Sequence, residues 1–515
     1  MSLRPDLAHL SVAELHALLT QKDQALASKD QELHWRQTKI EQLTHELSLH
    51  RRWRFGAKTE HFSVEQAQLF DETVDADLAA IEDELEQLKS AAPSEGSAKR
   101  KPKRAPLPAN LPRTDIHHEP DSTTCACGCQ MTRIGEDVAE KLDYTPGSFT
   151  VERHVRGKWA CKPCETLTQA PVPAQVIDKG MPTAGLLAHV LIAKYADHLP
   201  LYRQEAIFGR AGLAIARSTL AQWVGQCGVA LQPLVDALKV VMLKHHVLHA
   251  DETPVAMLDP GAGKTRRAYL WSYAIGAHDP TRAVIYDFAE SRAGHHARDF
   301  LGEWRGTLVC DDYSGYKALI AQGVQEAGCM AHARRKFFEL AKASKSQIAH
   351  EAIHYFGQLY ELEREIADDE KITPEARRQI RQDKAKPIAD ALHAWLMNQR
   401  QRVPNGSGTA AAIDYSLKRW AALIHYLDDG RVPIDNNWIE NRIRPIAIGR
   451  KNWLFAGSLR AGKRAAAVMS LVQSAKLNGH EPYAYLKDVL TRLPTQPNSR
   501  IEELLPHCWK PQINA

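Results

Sequence analysis

The chain has no apolar run approaching the roughly 18 residues that a membrane helix requires. Its first residues, Met1 to Asp6, lack the apolar segment and small-residue cleavage site of a signal peptide, so a cytoplasmic location is expected. An excess of one charge sign is missing as well, because the net charge is only +4. Nine cysteines in 515 residues are too few and too unevenly spread for a disulfide framework in a cytosolic chain. What is present, 44% hydrophobic and 25% charged residues, is the balance of a globular protein. The length exceeds one ordinary core, so roughly three or four domains are expected.

Charge is patterned even though it nearly cancels. Basic residues gather at Arg51–Arg54, at Lys99–Arg104 and from Arg442 to Arg464, whereas Asp71–Glu86 is acidic. Local clusters suit phosphate backbones, and solvated surface explains any single one equally well. Leu19, Leu26, Leu33, Ile40 and Leu47 recur every seven residues, which is one of the two apolar positions of a heptad. The complementary positions are polar, among them Asp23, Asp30, Gln37 and Thr44. Residues 1–90 therefore read as a helical, coiled-coil-like region, with an acidic helix at about 74–90. Arg51-Arg-Trp-Arg-Phe is either a DNA contact or a helix cap. Residues 91–115, rich in Pro, Ser, Lys and Arg, read as a basic linker.

Residues 180–240 follow helical periodicity. Ala184–Tyr195 and Tyr202–Phe208 precede a Gly-containing turn, and a helix opens at Ala216-Arg217-Ser218-Thr with Gln222 on its exposed side. That pattern is compatible with a helix-turn-helix reader of double-stranded DNA, and small helical bundles share it. Strand-like runs follow at Val247–Leu258, Ala268–Ile275, Ala283–Phe288, Gly306–Cys310 and Val324–Met330, with a helix at Gly294–Leu301. Residues 241–460 thus read as a mixed α/β core that carries a helical insertion at about 335–430. Residues 461–515 form a helical tail.

Three acidic contexts stand out: His-Ala-Asp251-Glu-Thr, Val-Cys-Asp311-Asp312-Tyr, and Asp435-Asn-Asn-Trp-Ile-Glu440-Asn-Arg. Asp251 lies on the first strand of the core and Asp311 at the end of the fourth. Carboxylates at neighbouring strands, joined by one from a later helix, suit two hard divalent cations, Mg²⁺ or Mn²⁺. In this order, and with a helical stretch before the last, the contexts resemble the DDE transposases of the insertion-sequence-sixty-six family. Lys194-Tyr-Ala-Asp-His-Leu-Pro-Leu-Tyr-Arg-Gln-Glu205, Cys329-Met-Ala-His-Ala-Arg-Arg-Lys-Phe337 and Asn437-Trp-Ile-Glu-Asn-Arg-Ile-Arg-Pro445 carry the same likeness over nearly the whole chain. The resemblance implies a ribonuclease-H-like core with Asp251, Asp311 and Glu440 as metal ligands. It also implies cleavage at element ends, strand transfer into target DNA and a nucleoid-associated life. A homo-oligomer and small companion proteins of the same element are implied too. Asp312 stands where the family has glycine, and the register with Tyr313 and Tyr316 favours Asp311 as ligand. A catalytically silent DNA-binding descendant and a nuclease without joining activity are the rival readings.

Within residues 116–175, Cys161-Lys-Pro-Cys164 has the spacing with which two thiolates reach one tetrahedral Zn²⁺. The family pattern Cys-x-x-Cys-Gly is altered at the other knuckle, where Thr124 precedes Cys125-Ala-Cys127-Gly-Cys129. Cys125 and Cys127 are expected as the remaining ligands of a small zinc ribbon, with Cys129 as substitute. Pro260-Gly-Ala-Gly-Lys-Thr265 resembles the end of a phosphate-binding loop. The first glycine would fall at Leu258, so a hairpin turn and no nucleotide triphosphate are expected. His332 and Arg335, one helical turn apart, either touch the scissile phosphate or belong to a helix surface. Arg442, Arg444, Arg450, Lys451, Arg460, Lys463 and Arg464, with Trp453 among them, are the main DNA-contact candidates. Pro445 is expected to end or kink the Glu440 helix.

Overall fold

The computed structural model describes residues 12–55, 64–90 and 107–511, the last span without 108, 110, 146, 179, 260–263, 345 and 370. Two helices open it, α1 (Val12–Phe55) and α2 (Val64–Ser90). Ile40, Leu43 and Leu47 of α1 pack on Ile81, Leu85 and Leu88 of α2. The upstream leucines of the same heptad have no such cover: Leu19, Leu26 and Leu33 are each about three-fifths exposed. Most of the expected linker, 91–106, lies outside the described residues, as do the side chains of 52–55 in the Arg51 stretch.

A four-stranded sheet follows, made of β1 (Arg113–His118), β2 (Thr132–Thr145), β3 (Ser148–Cys161) and β4 (Thr166–Gln169). It is larger than a bare two-knuckle ribbon, because β2 and β3 form a hairpin of 14 residues a strand. Helices α3 (Ala184–Tyr195), α4 (Leu201–Arg210) and α5 (Arg217–Met242) come next. Gly212, with φ of +85°, makes the turn between α4 and α5. Among the described residues only α5 is long and apolar enough to cross a membrane, and its apolar side is occupied as a core helix by Leu220, Val224, Leu231 and Leu238. Helix α2 lies against α5 so closely that a Cβ on Gly225 would meet the Ala76 carbonyl at 2.3 Å.

The second sheet holds β5 (Val247–Asp259), β6 (Lys264–Ile275), β7 (Val284–Ala289), β8 (Thr307–Cys310) and β9 (Gln325–Gly328), in the order β7-β6-β5-β8-β9. The first three strands are antiparallel, while β5, β8 and β9 run parallel. Strands β5 and β6 pair up to Asp259 and Lys264, and the expected turn at 260–263 is outside the described residues. Helix α6 (His295–Leu301) joins β7 to β8, and α7 (Lys317–Ala321) joins β8 to β9. Among the described residues six α-helices stand between β9 and the Glu440 helix: α8 (Met330–Ser344), α9 (Gln347–Ala367), α10 (Pro374–Ile380), α11 (Lys386–Arg402), α12 (Gly408–Lys418) and α13 (Trp420–Ile424). With Val247, Val309 and Ala327 of the sheet they enclose a second apolar core around Phe337, Phe356, Leu392 and Tyr426.

Helix α14 (Asn437–Trp453) runs through Pro445 instead of stopping there. Ile439, Ile443 and Ile446 are buried on one side of it, and that packing outweighs the hydrogen bond the proline removes. Helices α15 (Leu459–Leu477) and α16 (Pro482–Arg492) close the chain.

Charge ties the N-terminal helices to this body. Arg464, expected among the DNA contacts, is buried and pairs with the fully buried Asp77 at 3.0 Å. Arg460 pairs with Glu46 and Glu84. Both arginines of α15 are therefore spoken for by α1 and α2, and the expectation for them is corrected. The Glu72 carboxylate accepts from the Lys194 ammonium and from the Leu201 backbone N–H at 2.9 Å, joining α2, α3 and α4. Replacing Arg464 with methionine leaves Asp77 buried without its cation. The change is expected to lower stability by about 3–5 kcal/mol, seen as a lower thermal midpoint and earlier proteolysis of the α1–α2 hairpin.

Candidate active site and zinc cluster

Two strands set the level of the first two acids. In the parallel pairing of β5 with β8, His249 stands opposite Val309. Asp251 and Asp311 each lie two residues beyond that last pair, close enough for the Asp311 charge to act on the Asp251 carboxyl. Asp311 lies just past the end of β8, where its carboxylate accepts the Tyr313 backbone N–H at 2.9 Å. The next residue turns away: the Asp312 carboxylate accepts from Arg419 of the helical insertion and lies 3.4 Å from the Lys317 ammonium. Glu252, beside Asp251, is also engaged elsewhere, by Arg292 and by the Tyr316 hydroxyl at 2.8 Å.

The third acid sits on the first turn of α14, and a buried asparagine positions it. Asn436 donates from its side-chain amide to the Ala250 carbonyl at 2.9 Å and accepts from His249 Nδ1 at 2.7 Å. Its backbone N–H donates to Cys329 Sγ at 3.2 Å. Burial pulls the His249 imidazole down to about 4, so the ring is neutral with its proton on Nδ1. One residue thus fastens the start of α14 to β5 beside Asp251 and to the end of β9. Asp435 accepts from the Asn437 backbone at 3.0 Å and from the Tyr360 hydroxyl at 2.9 Å, anchoring the same turn to α9.

His332 and Arg335 of α8 both face the glutamate, at 3.8 Å and 3.7 Å. The groove before them, about 640 Å³, also exposes Arg292 and Lys336, so cations line the approach to a strongly acidic centre. Burial first, then the charges of Glu252 and Asp311, pushes the Asp251 carboxyl up to about 8. Carboxyls gathered this closely would be ionised together only beside compensating cations, which fits divalent ions.

The cysteine cluster is built from two turns. The Gly128 N–H donates to the Cys125 carbonyl at 2.8 Å and the Cys125 N–H to the Cys129 carbonyl at 2.8 Å, folding one knuckle, while Cys161 ends β3 and Cys164 lies in the turn to β4. The sulfurs of Cys125, Cys127, Cys161 and Cys164 lie within 4.8 Å of one another, and Cys129 stands outside the group. The Cys127 backbone N–H, then the Thr166 hydroxyl, draw the Cys125 thiol down to about 6. Four thiols in this arrangement suit a closed, structural zinc site.

The profile of the transposase IS66 family matches residues 179–464, more than half of the chain. The chain belongs to that family. Further profiles place the IS66 C-terminal element at 470–507, the zinc-finger binding domain of transposase IS66 at 122–165 and the "Transposase C of IS166 homeodomain" at 42–116. Two uncharacterized proteins of Sinorhizobium fredii are similar. Protein y4qI is 38% identical over 92% of this chain and 90% of its own length. Protein y4jD is 38% identical over 78% of this chain and 81% of its own length.

In this IS66-family chain the basic candidates divide by environment. Arg444 and Lys451 are exposed on α14, with Arg217 and Ser218 half-buried and Gln222 exposed at the start of α5. Arg442 is stacked on Trp438, 4.5 Å from the ring centre, and Arg450 donates to the Pro254 carbonyl. Trp453 is partly buried, lining an interior cavity beside Phe455 and Lys194. Lys463 is exposed on α15. Sequence reasoning missed His249, Asn436 and Arg419. Asn436 was visible as the middle of Asp435-Asn-Asn, but its three partners come from segments more than a hundred residues away.

Proposed function

We propose that this chain is an active DNA transposase that cuts at the ends of its element and joins the freed 3′-hydroxyl to target DNA. The observation that supports the reading is that the charges of Asp311 and Glu440 both act on Asp251, with the start of the Glu440 helix held to β5 by the Asn436 clamp. The strand order, with three antiparallel strands followed by two parallel ones, supports a ribonuclease-H-like core. Asp251, Asp311 and Glu440 would hold Mg²⁺ or Mn²⁺, while Asp312 keeps the helical insertion in place through Arg419. When bound there, such ions stabilise charge on the attacking and leaving oxygens of an in-line displacement. In the first step a water oxygen bonds to phosphorus and the P–O3′ bond breaks, leaving a 3′-hydroxyl. In the second, that hydroxyl attacks a target phosphodiester and displaces the target's own 3′ oxygen.

Arg444 and Lys451 would track the phosphate backbone away from Glu440, and Arg217, Ser218 and Gln222 would reach base edges in a major groove. The uncovered Leu19, Leu26 and Leu33 would pair with the same stripe of a second copy. A Leu19→Glu, Leu26→Glu, Leu33→Glu triple variant is then expected to sediment as a monomer at concentrations where the wild type self-associates. The reaction itself is tested with purified protein, Mg²⁺ and DNA carrying the element ends. Joined products support transposition. Cutting without joining identifies a nuclease, and binding without either identifies a silent DNA-binding descendant.

A further inference from the structure

A second cluster of metal-ligating side chains lies against the acidic centre. Cys329 follows β9, His332 sits on the first turn of α8, and Glu440 comes from the first turn of α14. One ligand atom from each lies within 4.8 Å of the other two. The pair His332 Nδ1 and Glu440 Oε1 is 3.8 Å apart, too far for a hydrogen bond. Two ligands at that separation straddle a cation with bonds of roughly 2.0–2.2 Å. Both atoms are shut off from solvent and have no hydrogen-bond partner among the described residues, a condition that buried polar atoms rarely keep. Arg335 approaches the other carboxylate oxygen, Oε2, and so leaves Oε1 to its neighbours. Cys329 is buried, and its sulfur accepts the Asn436 backbone N–H at 3.2 Å; burial pushes the thiol up to about 12, so its proton leaves only as a sulfur–metal bond forms.

We infer that Cys329, His332 and Glu440 form a three-ligand site for a divalent cation of the zinc class, apart from the four-cysteine cluster. A thiolate and an imidazole select such an ion over magnesium, and three protein ligands leave a coordination position open. Binding releases the Cys329 proton to solvent as the sulfur–metal bond forms. The site deepens the transposase reading, on which its consequence rests: an ion held there would draw on the carboxylate that completes the catalytic triad. Zinc occupancy at Cys329 would accordingly oppose magnesium at Asp251 and Asp311.

The test counts metal on the full chain without DNA, so that it stands or falls separately from the strand-transfer reading. Protein is stripped of metal, reloaded with Zn²⁺ alone and dialysed, and zinc is measured per chain. The wild type is expected to hold two equivalents, and Cys329→Ser and His332→Ala one each, with at least about a tenfold weaker affinity for the second ion. Cobalt in place of zinc should give a second thiolate–metal absorption band that Cys329→Ser removes. A single equivalent in the wild type, or two equivalents retained by His332→Ala, would overturn the assignment. Should Cys329→Ser fail to fold, His332→Ala decides alone, because its side chain is only half-buried on α8.

Discussion

Replacing Asp251 with asparagine is expected to abolish strand cleavage and strand transfer together, by about 10³-fold or more. The fold should survive the change. Burial and the charges of Glu252 and Asp311 lift the Asp251 carboxyl to about 8, so near pH 7 the metal-free protein already keeps it mostly protonated. A neutral amide of the same shape therefore leaves the metal-free stability near that of the wild type and removes only the metal ligand. The same loss is expected for Asp311→Asn. Asp312→Asn should retain activity within about tenfold, because its partner Arg419 keeps Glu326 at 2.8 Å. Single-turnover cleavage of labelled element ends, alongside thermal unfolding of each variant, checks all three. Equal losses for Asp311→Asn and Asp312→Asn, or wild-type cleavage by Asp251→Asn, would sink the assignment of ligands.

The other large effect concerns the cysteine cluster. Cys161→Ser is expected to release one zinc equivalent per chain and unfold the sheet of β1–β4, because structural zinc supplies about 10–16 kcal/mol of apparent binding energy in small modules. Cys129→Ser should keep its zinc, since that sulfur lies outside the group of four. Metal content after dialysis, with proteolysis mapped across 113–169, separates the two variants. Loss of zinc from Cys129→Ser with retention in Cys161→Ser would show that the knuckle uses a different set.

Much of the core was legible because strands and helices announce themselves locally. All five strand-like runs of the core became strands within a few residues of their expected ends, most of them apolar or β-branched runs bounded by turn residues. The cysteine spacing was legible for the same reason: Cys161 and Cys164 share one turn. Charge was the least reliable guide. Arg460 and Arg464 looked like phosphate contacts beside Lys463, yet the acids that neutralise them, Glu46, Glu84 and Asp77, lie nearly four hundred residues upstream. A window of sequence shows the sign of a charge and not its partner. Pro445 does not end its helix, because three isoleucines along α14 are buried and hold it to the body.

On its own, the sequence determined the order of the modules, the family likeness and the residue types available for metal and DNA. These follow from local periodicity and from motifs a few residues long. Only the tertiary structure decided that Asp312 is held by Arg419, that Arg460 and Arg464 are paired with acids, and that Cys329 and His332 meet Glu440. Those outcomes depend on strand register and on buried contacts such as the Asn436 clamp, where a hydrogen bond away from water links segments that no local pattern connects.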